Sequence, residues 1–136
     1  MDITINATFL PHVDPDVSLA FYRDVLGFEV RNDVGYQGMR WITVGPAGQP
    51  DTAIVLHSPA SIPGLTPEEV ATLEAIVAKG AYFGVNLAVP DVDAAFEQLV
   101  AKGADVVQEP MDQHYGTRDC AVRDPAGNEL RIQQRA

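Results

Sequence analysis

Cysteine is nearly absent: Cys120 is the only one in 136 residues, so neither an internal disulfide nor a cysteine-built zinc site can form within the chain. A reducing cytoplasm suits such a composition. Cations are scarce as well, with nine Lys and Arg against nineteen Asp and Glu, for a formal net charge of −10. That balance excludes nucleic acid as the expected partner, because its binding depends on cations that neutralise phosphates. The acidic charge either attracts cationic ligands or only maintains solubility. No apolar run approaches the roughly 20 residues of a membrane span, and MDITINATF has neither the basic start nor the apolar stretch of a secretory leader. A soluble, cytoplasmic protein is expected. The chain also lacks a GxSxG elbow and a Gly-rich loop that opens a helix, so covalent catalysis and phosphate binding are not indicated.

What is present is punctuation and period. A chain of this length can bury the core of one ordinary domain. Residues 3–10, ITINATFL, are rich in β-branched and aromatic types and read as a strand. The period then changes: Asp14 is a helix N-cap, Pro15 suits the first helical position, Val17, Ala20, Phe21 and Leu26 form an apolar stripe, and Gly27 can take a left-handed C-cap. Strands follow at FEVRNDV, RWITV and TAIVLH, with glycines and prolines between them. The order βαβββ then returns. FGVNLAV reads as a strand, DVDAAFEQLVAKG as a helix capped by Asp91 and Gly103, and ADVVQEP, RDCAVRD and NELRIQQ as three more strands. Asp14 and Asp91 start equivalent helices, so the chain is an internal repeat with a period of about 77 residues. The expected organisation is one α+β domain: module 1 over 1–58, a linker helix within 59–81 and module 2 over 82–136. Thr66, Pro67 and Glu69 supply a cap, a first-turn proline and a capping-box glutamate for a helix over Thr66–Lys79. Its expected role is a connector across the surface, with a lid over a cavity as the alternative.

The segments DPDVSLAFYRDVLGFEV, DVDAAFEQLVAKGADVV and YGTRDCAVRDPAGNELRI resemble the glyoxalase/bleomycin-resistance/extradiol-dioxygenase superfamily, the vicinal oxygen chelate proteins. The likeness covers both modules. The aromatic-Gly pair before a strand that ends in RDPAGN is most similar to bleomycin-resistance proteins. The resemblance implies two βαβββ modules whose sheets pair into a cupped, incomplete barrel with helices outside, a ligand cavity inside and a homodimer around it.

It also implies metal ligands that this chain does not supply. Members that use a metal place His, Gln or Glu where this sequence has Ala7, Val55, Gly84 and Arg131, and Arg131 sets a permanent cation where the metal charge would lie. His12, His57 and His114, even with Glu109 and Glu129, show no metal-ligand spacing, so no metal and no cofactor is expected. His12, beside Pro11 and just before the helix cap, reads as exposed or capping, and Cys120 as a small buried filler.

A pocket remains. Strand alternation aims Asn86 and the polar set Glu129, Arg131 and Gln133 inward, and His57 shares the inward parity of Val55. The ligand-binding residues expected are Phe9, Trp41, His57, Asn86, Tyr115, Arg118, Glu129 and Arg131, with Tyr36 and Met39 as further lining. Phe9 and Trp41 also fit plain core positions, and Arg118 fits a surface pair with Asp119 or Asp124. No catalytic residue is identified. Sequestration of a planar or cationic drug stands first. A metal-independent lyase or isomerase stands second, with Arg131 holding a carboxylate or oxyanion while Glu129, His57 or Tyr115 moves a proton. A metal-dependent lyase, isomerase or dioxygenase stands last.

Overall fold

The computed structural model describes every residue, Met1–Ala136. Module 1 runs β1 (Ala7–Pro11), α1 (Pro15–Ala20), β2 (Glu29–Tyr36), β3 (Met39–Gly45) and β4 (Ala53–His57). Module 2 repeats the order with β5 (Gly84–Val89), α3 (Val92–Ala101), β6 (Asp105–Asp112), β7 (Arg118–Arg123) and β8 (Glu129–Gln134). Between them lie a single 3₁₀ turn, Pro59–Ser61, and α2 (Pro67–Ala78). Each module is one four-stranded sheet, ordered β1-β4-β3-β2 and β5-β8-β7-β6, and the two sheets do not close into a barrel. The first strand of each sheet lies parallel to its last.

The helix signals act as local chemistry requires. The Asp14 carboxylate accepts from the backbone N–H groups of Asp16 and Val17 at 3.1 and 3.3 Å, and that of Asp91 from Ala94 at 3.1 Å. Thr66 and Glu69 form the reciprocal capping box. α1 continues as a wider π-type turn over Phe21–Val25 before Gly27, at φ 73°, ends it. The first strand is shorter than the expected 3–10. Its one neighbour, β4, begins opposite Ala7, so residues further upstream face no strand, and only Asn6 and Ile5 are held, by Ala53 N–H and the Thr52 hydroxyl.

Both modules turn the same kind of face to one core. Leu10, Tyr22, Ile42 and Leu56 of the first pack in a single buried cluster with Leu99, Val122, Leu130 and Ile132 of the second. The RDPAGN turn joins them: the Asp124 carboxylate accepts from the Tyr22 hydroxyl at 2.7 Å, and the Asn128 amide donates to the Pro11 carbonyl at 2.9 Å. α2 is seated on the same turn, with Val77 buried and the backbone of Val77 and Ala78 pressed against Gly127. α2 is thereby fastened to the second module.

One of two side chains read from the sequence lies elsewhere than expected. His12 is buried rather than exposed, because its Nε2 sits 2.9 Å from the Arg40 carbonyl at the end of β1. Cys120 is fully buried among core aliphatics, and burial pushes its thiol pKa up, consistent with a filler.

Candidate functional site

Register decides which residues share the faces turned away from the core. On the first sheet Trp41 lies opposite both Val34 and His57, Tyr36 opposite Met39, and Phe9 beside Val55. Phe9 meets the His57 ring edge-on at 5.2 Å. Around Trp41 that face is a wall of aromatic and apolar groups with one imidazole, with the polar pair Asn32 and Thr43 next along it, and it is open: Phe9 is 52% exposed and Tyr36 65%.

The matching face of the second sheet is polar. Arg131 lies between Asn86 on β5 and Ala121 on β7, with Glu129 and Gln133 at the same parity. Asp119, on the same face, is fully buried and gathers four donors: Gln113 at 2.8 Å, Gln108 at 3.0 Å, the Tyr115 hydroxyl at 3.1 Å and Arg131 at 3.2 Å. Burial pushes the Asp119 carboxyl pKa up, but the Gln113, Gln108, Arg131 and Tyr115 donors outweigh it and hold the value below the usual carboxylate range. Arg131 also donates to the Gln108 side-chain oxygen at 3.1 Å, and Glu129 lies 3.8 Å away. The guanidinium is thus fixed and mostly neutralised before any ligand arrives.

Because Asp119 is buried and charged, its one cationic partner carries weight. Arg131→Met is expected to lower stability to urea by about 2 kcal/mol, and Asp119→Asn in that background to recover most of the loss. A loss within experimental error would show that the three neutral donors suffice.

Of the residues singled out from sequence, Phe9, Trp41 and His57 share the first open face, and Asn86, Glu129 and Arg131 the second, with Tyr115 at its rim. Arg118 does not join them. It shares parity with Cys120 and Val122 on the helix side and pairs with Asp93 at 2.7 Å and Asp112 at 3.4 Å, not with Asp119 or Asp124. Asp119 and Gln108, which hold Arg131, and Ser61, which meets His57, are the side chains around these positions that sequence reasoning passes over. The alternation of Cys120 and Val122 with Asp119 and Ala121 was the available signal for the first.

A hollow of about 780 Å³ lies elsewhere, along the unpaired edge of β5. Leu26, Phe28, Leu87 and Leu99 line it, and Asn86 is the only expected site residue that reaches it. The two open sheet faces are not enclosed within one chain, and no side-chain hydrogen bond or ring contact joins one to the other.

At the positions where a metal-using site would place ligands, the structure has Ala7, Val55, Gly84 and Arg131. A Cβ at position 84 would lie 2.8 Å from the Glu129 carbonyl oxygen, so the backbone there leaves no room for a ligating side chain. No group of three His, Cys, Asp or Glu side chains comes together anywhere in the chain.

A duplicated βαβββ chain with two open sheet faces and an RDPAGN turn matches the profile of the Glyoxalase/Bleomycin resistance protein/Dioxygenase superfamily over residues 4–132, and the chain belongs to that superfamily. Among individual proteins, it is similar to the uncharacterized protein YurT of Bacillus subtilis (strain 168), 31% identical over 99% of this chain and 100% of the relative. Among solved structures, UcmS2 superposes with a TM-score of 0.87 at 34% identity, each chain covered to 98%. TnmS3, an antibiotic binding protein from Streptomyces sp. CB03234, follows at 0.77 and 27%, with 100% of this chain and 99% of that one covered.

Proposed function

We propose that this chain is a metal-free binding protein for a planar aromatic small molecule, neutral or cationic, held in a cleft that a second copy completes. One observation carries the reading: the two open faces are unlike, an aromatic wall of Phe9, Tyr36 and Trp41 on one sheet and a preorganised polar network around Arg131 and Asp119 on the other. Flat rings take up the body of a ligand, and fixed polar groups orient its edge. Arg131 is already matched by Asp119, with Glu129 beside it, so the polar wall carries no surplus positive charge for an anion. The similarity to an antibiotic binding protein supports an antibiotic-like ligand.

The donor set does not fit a metal, so no metal-dependent step is drawn from it. A metal-independent reaction would need Arg131 free to meet a developing oxyanion, and its guanidinium is held by Asp119 and Gln108. Binding without turnover is the reading this arrangement favours. A second copy is supported by exposed Phe9, Val34, Tyr36 and Met111 on open sheet faces and by the unpaired edge strands β1, β2, β5 and β6. A single cysteine suits a cytoplasmic location.

Trp41 is the only tryptophan, so its fluorescence reports on the wall directly. Light scattering is expected to give twice the 14.7 kDa chain mass, and elemental analysis no stoichiometric transition metal. Planar aromatic antibiotics are expected to quench Trp41 saturably at about micromolar concentration or below, anionic ones least. A monomer whose tryptophan no such compound touches would overturn the reading, as would one metal per chain whose chelation lowers the Tm.

A further inference from the structure

His57 closes β4 at the foot of the aromatic wall, and its surroundings specify which of its nitrogens carries the proton. Its Nδ1 lies 3.0 Å from the Ser61 Oγ. That hydroxyl has a single hydrogen and donates it to the Ser58 carbonyl at 2.7 Å. Toward His57 the Ser61 oxygen can therefore only accept. Nδ1 then bears the imidazole proton, and Nε2 of the neutral ring is left as a lone-pair acceptor.

The rest of the local structure holds this chain of donors in place. Ser58 caps the 3₁₀ turn Pro59–Ser61 with its own side chain, accepting from Ala60 N–H at 3.1 Å, and Pro59 is buried. Ser61 is thereby fixed three residues beyond the carbonyl to which it donates. Nε2 makes no hydrogen bond within the protein and is not among the buried unpartnered atoms, so it is not wholly buried, on a side chain that is itself half-buried. Phe9 meets the ring edge-on, and Trp41 is its cross-strand neighbour. Burial, and then the nearby His12, hold the imidazole pKa below its ordinary value, which keeps the ring neutral at pH 7.

We propose that His57 is a specificity residue that selects planar aromatic ligands bearing an O–H or N–H donor at their edge, with Ser61 as the positioning residue that fixes Nε2 as the acceptor. The inference rests on the binding reading above and adds to it the ligand chemistry that one end of the aromatic wall accepts. A ring lying on Trp41 and Phe9 places its edge substituent within reach of Nε2. A hydroxyl there gains a partner, whereas a methyl ether presents a second acceptor to an acceptor and leaves both unsatisfied.

The test uses the full chain and two matched probes, a phenanthrol and its methyl ether, whose affinities are measured by equilibrium dialysis. The tautomer is read independently from long-range proton–nitrogen correlations of the His57 ring. The phenol is expected to bind at least about tenfold more tightly than the ether, and the His57 spectrum to show a protonated Nδ1. His57→Phe keeps a flat ring, removes the acceptor and is expected to bring the ratio close to one. Ser61→Ala is expected to narrow the ratio and to remove the fixed Nδ1–H signature while the ether binds as before. Equal affinities in the unaltered protein, or a His57 ring protonated on Nε2, would overturn this inference and leave the binding reading standing. If neither probe binds, the aromatic wall itself is not a ligand site, and both readings fall.

Discussion

Asp124→Ala is expected to lower the stability of the folded chain by about 4 kcal/mol, enough to leave a marginal domain largely unfolded at physiological temperature. The carboxylate is buried and accepts from five donors: the Tyr22 hydroxyl, the Asn128 amide and the backbone N–H groups of Ala126, Gly127 and Asn128. Removing it orphans four of them at once, Gly127 N–H alone keeping a partner in the Asp124 carbonyl at 3.0 Å, and each unsatisfied buried donor costs about 1–3 kcal/mol before relaxation. Urea denaturation checks the value, and a loss below about 1 kcal/mol would mean that water replaces the carboxylate. The same group supplies a pH signature. Burial raises the Asp124 pKa more than the Asn128, Tyr22 and backbone donors lower it. A folded-state value above the unfolded one means that the native state holds the proton over the intervening window. Stability from this group is therefore complete below the unfolded value and is lost as pH rises through the folded one. Relative to Asp124→Asn, which has no such titration, the unaltered protein should lose stability as pH rises from the ordinary carboxylate value toward neutrality. Parallel pH profiles for the two proteins would contradict the assignment.

Gly127→Ala acts by shape alone. Gly127 has φ 111°, where side chains are strained, and an added Cβ would overlap the Val77 carbonyl oxygen and stand 2.7 Å from the Ala78 Cα. The clash is with backbone on both counts, so no rotamer change relieves it. Backbone strain and overpacking each contribute about 1–3 kcal/mol, and their combined effect is expected to be about 4 kcal/mol. Thermal unfolding measures it. Should Gly127→Ala melt within about 2 °C of the unaltered chain, the seat of α2 on the turn is looser than the structure implies. Gly116, which has positive φ but open space around it, provides the contrast: there alanine meets strain without collision, and the loss should be smaller.

The repeated βαβββ order was legible because each helix is bracketed by its own chemistry, Asp14 to Gly27 and Asp91 to Gly103, with a capping box marking the connector. Strand parity likewise placed Arg131 and Glu129 on one face and Leu130 and Ile132 on the other, and register bears this out. What stayed hidden depends on contacts between distant segments. Nothing in RDC marks Asp119 as buried, since its burial comes from Gln108, Gln113 and Tyr115 folding over it. Arg118 looked like a cavity residue because its charge was visible, whereas its direction depends on α3 placing Asp93 within reach. His12 was read as exposed or capping from its place beside Pro11 and just before the helix cap, yet β3 brings the Arg40 carbonyl to it across 28 residues of sequence. Residues 3–6 carry strand propensity without a neighbouring strand to pair with.

The shared core has a consequence for how the halves came to depend on one another. Two copies of a module that each buried its own apolar face could be cut apart at the connector and would fold separately. Here Tyr22 reaches Asp124 across 102 residues and Asn128 reaches Pro11 across 117, and both bonds are buried. Each half thus supplies part of the other's interior. Severed in the loop before Thr66, the two pieces should remain unstructured alone and regain their shape only on mixing, as complementing fragments of one obligate partnership.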